Sequence, residues 1–321
     1  ATGIGLLIVA GPMPVAAQDE PAAPTPPRVQ PPASTRPPSA TRPRMAPPGK
    51  MTIDAANGAY KFLLKAVVSK DGLVMYDKLG RGGGPWESVL VSVVQAFEQV
   101  QPLADSNQKL AVWINAYNAN VLKLTLEAKG KPGFVNVEQV PGFFDKQEIT
   151  VAGEKMTLNQ LQKEKIASLG DPRAHAALVS AAMSSPHLLS EPYLPDRIND
   201  QLEAQTRRWI NDPTRNGVEN SALSVSMIFD WFKDDFNGKP FGDRIGFIRT
   251  YADPQGPIAT LLAANPNPEI HFKPFDWSLN AAQEMSTAPP APPKREAIPP
   301  PPAPLAPPAD SPATPPGGGS P

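Results

Sequence analysis

The run Lys109–Leu126, KLAVWINAYNANVLKLTL, constrains the fold of this chain more than any other stretch. Leu110, Ile114, Tyr117, Val121 and Leu124 recur at steps of four, three, four and three, an apolar stripe at helical spacing. Asn115, Asn118 and Asn120 sit in the middle of it. Each is a poor helix former, by about 0.5 kcal/mol relative to Ala. Asn115 and Asn118 are three residues apart, so their amides share one face. A short amide inside a helix competes for backbone hydrogen bonds unless it is engaged elsewhere. Two readings follow. The amides form a polar clamp that a ligand or a neighbouring segment completes, or they tie buried loop backbone to the helix. Both put the helix at the centre of the domain.

Proline placement sets the limits of that domain. Of 43 prolines, 11 lie in Asp19–Lys50 and 15 in Thr287–Pro321, against 15 in the much longer stretch Met51–Ser286. The two flanks lack the apolar content to offset the entropy of ordering. Residues 18–50 are therefore expected to be a disordered linker and 287–321 a disordered tail, with one globular domain at 51–286. Before the linker, Gly3–Ala17 is a short apolar run broken by Pro12 and Pro14. A span of the bilayer needs about 20 apolar residues, so this run is too short to cross. Val15-Ala16-Ala17 ahead of Gln18 resembles a signal-peptidase site. The Met and basic residues that open a leader are missing, so residues 1–17 are expected to be a truncated signal peptide. The expected location is secreted or periplasmic, in a bacterial cell envelope. The alternative is an apolar tail with no targeting role.

Within the domain the elements read in order. Asp54 is expected to cap a helix reaching about Ser69, with Leu73–Tyr76 a short strand after a turn at Asp71-Gly72. Trp86–Val100 is a second helix, stopped by Pro102. Gly82-Gly83-Gly84 lacks the Gly-Lys-Ser/Thr ending of a phosphate loop and reads as a flexible turn. Glu148–Thr157 is a β-hairpin turning at Ala152-Gly153-Glu154, and Thr157-Leu158-Asn159-Gln160 is a capping box opening a helix. Arg173–Ala182 reads as a buried strand or extended run. Leu194–Asn211 is an amphipathic helix. Ser224 is expected to cap a helix over Val225–Asp235, with short helices at Phe241–Tyr251 and Pro257–Ala264 and a last strand at Glu269–Phe272. The sum is an α+β fold. It is a mainly helical single domain with a small mixed β-sheet built from the hairpin, the Arg173 run and the last strand.

Several separated motifs carry a family resemblance. Trp113-Ile114-Asn115-Ala116-Tyr117-Asn118-Ala119, Asp171-Pro172-Arg173-Ala174-His175-Ala176-Ala177-Leu178, Phe229-Asp230-Trp231-Phe232 with Asp235-Phe236, and Phe275-Asp276-Trp277-Ser278-Leu279-Asn280 stand in order. Together they resemble the DUF547 family, a domain of unknown function, over roughly Asp54 to Asn280, with the signature part at about 102–212. The resemblance implies a family and not a reaction. It also implies a Glu-His pair in the helix after the hairpin, where this chain has Gln162 and Lys163. It implies Ser-Cys-Pro where Ser184-Ser185-Pro186 stands, and often a Cys at Ser180.

The chain has no Cys, which excludes thiol chemistry and disulfides. Net charge is −1, with none of the basic excess that nucleic-acid binding needs. The histidines, His175, His187 and His271, share no metal-ligand spacing, so no metal and no cofactor are expected. Asp234-Asp235 reads as a solvated pair beside a helix end. Two functional readings stay open. One is a non-catalytic binding or scaffolding module for an unknown ligand or envelope partner. Its groove would be lined by Asn115, Asn118, Arg173, His175, Asp276 and Trp277. The other is a hydrolase or transferase with Ser184 or Ser185 as nucleophile and His175 or His187 as base.

Overall fold

The computed structural model describes residues 51–80, 84–101 and 103–282. The expected leader at 1–17, the linker at 18–50, the tail at 287–321, Gly82-Gly83 and Pro102 all lie outside the described residues. Helix α1 (Ile53–Val67) opens on Thr52, whose hydroxyl accepts the Ala55 N–H at 3.2 Å. The expected cap, Asp54, instead sits inside the first turn, where its charge suits the positive helix end. The expected strand Leu73–Tyr76 is also corrected. Only Val74 pairs, with Val68 and Ala281, and Tyr76 already starts the short helix α2 (Tyr76–Leu79).

Helix α3 (Pro85–Gln99) begins with proline at its first position, where the missing N–H has no helical partner to lose. Helix α4 (Ser106–Lys129) carries the asparagines, and Asp105 caps it by accepting the Gln108 N–H at 2.9 Å. Its stripe is buried as expected, but so is most of the rest. Ala111, Val112, Ala116, Ala119 and Leu122 are covered too, so α4 is a central helix packed on several sides. Strands β1 (Glu148–Val151) and β2 (Glu154–Thr157) pair antiparallel around Ala152 and Gly153, both at positive φ, as a tight two-residue hairpin requires. The capping box on Thr157 forms and starts α5 (Leu158–Gln160), which widens into a π-helical turn at Leu161–Ile166. Such turns recur at functional sites.

Arg173–Ala182 is not a strand. Pro172 fixes the backbone, Asp171 accepts the Arg173 N–H at 3.0 Å, and Pro172–Ala176 winds into a 3₁₀ turn. Beyond it only Ala182 pairs, with Leu279. Helix α6 (Ile198–Ile210) buries Ile198, Leu202, Gln205 and Trp209. Next come β3 (Gly217–Glu219) and β4 (Ala222–Ser226). Ser224 therefore lies inside a strand, and the expected helix over Val225–Asp235 shrinks to α7 (Ile228–Trp231) and a 3₁₀ turn at Lys233–Phe236. Helices α8 (Arg244–Tyr251) and α9 (Pro257–Ala264) lead to β5 (Ile270–Lys273), which runs parallel to β4 with Leu223 opposite Ile270. The expected mixed sheet of hairpin, Arg173 run and last strand is thus two sheets: the hairpin alone, and β3-β4-β5 with β4 buried along its whole length.

The apolar side chains gather in two clusters. One surrounds α4, with Tyr60 against Phe97 among its contacts. The other stacks Trp209 on Phe229 at 4.8 Å, beside Phe236 and Phe247. Among the described residues no helix is long and apolar enough to cross a membrane.

Candidate functional site

A cavity of ≈ 290 Å³ opens where the two clusters meet. The α4 side contributes Tyr117, Phe144, Leu178 and Trp277, and the β3-β4-β5 side Ile228, Phe232 and Phe275. Trp231 stands at this cavity 48 % exposed. Its ring stacks on Trp277 at 6.1 Å and meets Phe275 at 4.9 Å. Polar groups converge on the same space: Asn159, Gln162, His175 and Ser180. Burial pushes the Tyr117 phenol well above its ordinary range, so it stays a neutral hydroxyl in this wall.

His175 is held by two contacts that its motif does not reveal. Its Nε2 lies 2.8 Å from Asp235 Oδ2, and its ring packs on Phe232 at 4.6 Å. Asp235, read from sequence as one of a solvated pair, is therefore the orienting partner of this histidine. A second cavity, ≈ 240 Å³, adjoins the first and shares Gln162, His175 and Leu178 with it. Gln162 lies in the π-helical turn and lines both.

The other residues singled out in the sequence go elsewhere. Asn115 accepts the Tyr193 N–H at 2.9 Å and donates to the Tyr193 carbonyl at 2.8 Å. Asn118 accepts the Val179 N–H at 3.0 Å and donates to the Ala177 carbonyl at 2.9 Å. Both amides thus tie loop backbone to α4. Arg173 grips Asp171 through Nε and Nη2 and donates to Asn199 at 2.9 Å. Hydrogen bonding to Asp171 keeps its guanidinium above the ordinary range. The Asp276 carboxylate caps its own turn by accepting the Ser278 N–H at 2.9 Å.

The serines divide by hydrogen bonding. Ser185 is buried, and its Oγ accepts the N–H groups of Ser180 at 3.1 Å and Ala182 at 3.4 Å. It also lies 2.6 Å from Ser180 Oγ. Either hydroxyl of this pair can be the donor to the other. Ser184 Oγ accepts the Asp276 N–H at 2.9 Å. Ser184 and His187 line a separate, wider cavity of ≈ 580 Å³ with Asp212 and Arg215. Arg215 was not foreseen, because a charged residue in a turn reads as solvated. It is buried and donates to the Ser185 carbonyl at 2.7 Å and the Met183 carbonyl at 2.9 Å. Among the described residues no group of three or more His, Asp or Glu could hold a metal ion.

Burial, with Arg215 and Arg208 nearby, pushes His187 down to about 4. At neutral pH it is uncharged, so its 3.4 Å approach to Asp212 is not an ion pair there. The unfolded chain takes up that proton first, near 6.5, so stability should fall as pH drops from about 6.5 towards 4. Burial alone would raise the Asp212 carboxyl, but hydrogen bonds from Thr214 and the Arg215 charge outweigh it and hold it below its ordinary value of 3.8. Its contribution is present above that value and is lost in stronger acid. Melting temperatures at pH 7, 5.5 and 4.5 should decline in the wild type and decline less in His187→Asn. Parallel profiles would mean that His187 does not couple to folding.

Fold and cavity together define an α+β domain with a preformed, aromatic-walled cleft. The family model described as "Protein of unknown function, DUF547" matches residues 101–210, which bears out the resemblance read from the asparagine and Asp-Pro-Arg motifs. Trp231, Phe275 and Trp277 lie beyond the matched residues. No curated protein and no solved structure matches the chain.

Proposed function

We propose that this chain is an exported, non-catalytic binding module of the bacterial cell envelope, whose ligand sits in the aromatic cleft. The observation that carries the reading is Trp231, half exposed and stacked on Trp277 over a cavity where Asn159, Gln162, His175 and Ser180 converge. An apolar wall with a few placed polar groups is the ordinary form of a small-molecule site. Export rests on the apolar run ending in Val15-Ala16-Ala17. Ser185 Oγ accepts N–H groups of its own loop and Ser184 Oγ accepts the distant Asp276 N–H, so both hydroxyls serve backbone, which favours binding over catalysis.

The test is titration with N-phenyl-1-naphthylamine, a neutral dye that brightens in apolar surroundings. Saturable binding is expected. Trp231→Ala should weaken it about tenfold, the loss of roughly 1.4 kcal/mol of ring contact. Its melting temperature should fall only modestly, since about half of the ring is already in water. Equal affinity in wild type and variant would remove the cleft from consideration.

A second reading, hydrolase or transferase, has one observation in its favour. Asp235 orients His175, and the cavity His175 lines also holds Ser180. That makes Ser180, rather than Ser184 or Ser185, the serine to watch on this reading. A fluorophosphonate probe distinguishes the two. No adduct is expected, while stoichiometric labelling that His175→Ala abolishes would establish the catalytic reading.

A further inference from the structure

We infer that the ligand of the aromatic cleft is an organic cation, an ammonium group carried on a planar or apolar body. The inference rests on the cleft being a binding site and adds the charge of what it binds. Two independent features point the same way.

The first is the adjoining cavity. Its titratable wall groups are Asp171, Asp234, Asp235 and His175, and among the described residues no Lys or Arg lines either cavity. Asp171 is matched by Arg173, and Asp235 holds His175. Asp234 makes no ion pair among the described residues, so the polar half keeps an uncompensated negative charge. The second feature is the rings themselves. An aromatic face is electron-rich and attracts a cation. Elsewhere in this domain such faces already carry one of the protein's own: Lys78 over Trp86 at 5.8 Å, Arg207 over Tyr251 at 5.5 Å, and Arg244 over Phe272 at 5.5 Å. Trp231, Phe275 and Trp277 have no such partner among the described residues. An anion in the cleft would meet ring faces, with the carboxylates of the adjoining cavity beyond them, both repulsive. A neutral ligand would leave Asp234 to water. An ammonium on a short apolar stem suits both halves, with its body on the rings and its head towards the acidic wall of the cavity that shares Gln162 and His175 with the cleft.

The experiment uses three probes with one body: 4-phenylbutylammonium, 4-phenylbutan-1-ol and 4-phenylbutanoate. Each is titrated by calorimetry into the full chain at low ionic strength. The amine is expected to bind at least about tenfold more tightly than the alcohol, and the carboxylate more weakly than either. Asp234→Asn should shrink the amine's advantage severalfold and leave the alcohol unchanged. Salt should do the same, because Asp234 is exposed and its field is screened. Equal binding of amine and alcohol, both lost in Trp231→Ala, would overturn the cation preference while the aromatic cleft stands. Amine binding that survives Trp231→Ala would overturn the cleft reading itself. No binding by any probe would overturn both.

Discussion

Replacing Arg215 by Met is expected to destabilise the domain by about 3–5 kcal/mol, the range for removing one member of a buried, hydrogen-bonded charge pair. The guanidinium ties the Met183–Ser185 loop to its own turn at Asp212–Arg215. It donates to the carbonyls of Met183 and Ser185, to Thr214 Oγ1 at 2.8 Å, and to the carboxylate of Asp212. Methionine fills much of the same volume, so the loss measures unpaired polar groups rather than a hole. Arg215→Lys should recover only part of it. One ammonium cannot reproduce a planar fork that serves two carbonyls and a carboxylate. Adding Asp212→Asn to Arg215→Met should cost less than the sum of the two single changes, because the stranded charge is then gone. Urea denaturation reads all four proteins. A loss below about 1 kcal/mol for Arg215→Met would show that water replaces the guanidinium, and that the Met183–Ser185 loop is held by other contacts.

How much of this was legible depended on how local each signal is. The asparagine helix and the hairpin were legible because both are written in adjacent residues: a 3.6-residue stripe, and Ala152-Gly153 between short alternating segments. Sheet β3-β4-β5 was not, because Leu223 pairs with Ile270 and no local pattern records that partnership. Ser224 looked like a helix cap because serine before an apolar run is also what a buried strand of alternating serines presents. The cleft was half legible. His175 and Trp277 stood out in their motifs, but Asp235 as partner of His175 and the stacking of Trp231 on Trp277 join residues far apart in sequence. The two asparagines drew notice for the right physical reason, since buried polar groups need partners, and Arg173 drew it through its motif. Those partners proved to be Asp171 and loop backbone.

Asn115→Ala should cost about 2–4 kcal/mol and Asn118→Ala about 1–3 kcal/mol, with the combined variant close to unfolding at 37 °C. Each amide acts as a backbone substitute. Asn118 closes on Val179 N–H and Ala177 O, the pair of groups an adjacent strand would have met, and Asn115 does the same for both groups of Tyr193. The segments involved are irregular, so no sheet or helix satisfies them, and buried backbone groups left without partners are costly. Asn115 carries more because its Nδ2 also donates to Asn57, itself buried. Local propensity works in the opposite direction: Ala is the better helix former by about 0.5 kcal/mol, so any measured loss understates the tertiary bonds by that much. Asn115→Asp separates hydrogen bonding from size. A carboxylate still accepts from Tyr193 N–H but cannot donate to its carbonyl, and it should be at least as damaging as Ala at neutral pH. Thermal melts at pH 7 test the series. An Asn115→Asp protein as stable as the wild type would mean that the donated bonds to Tyr193 and Asn57 contribute nothing.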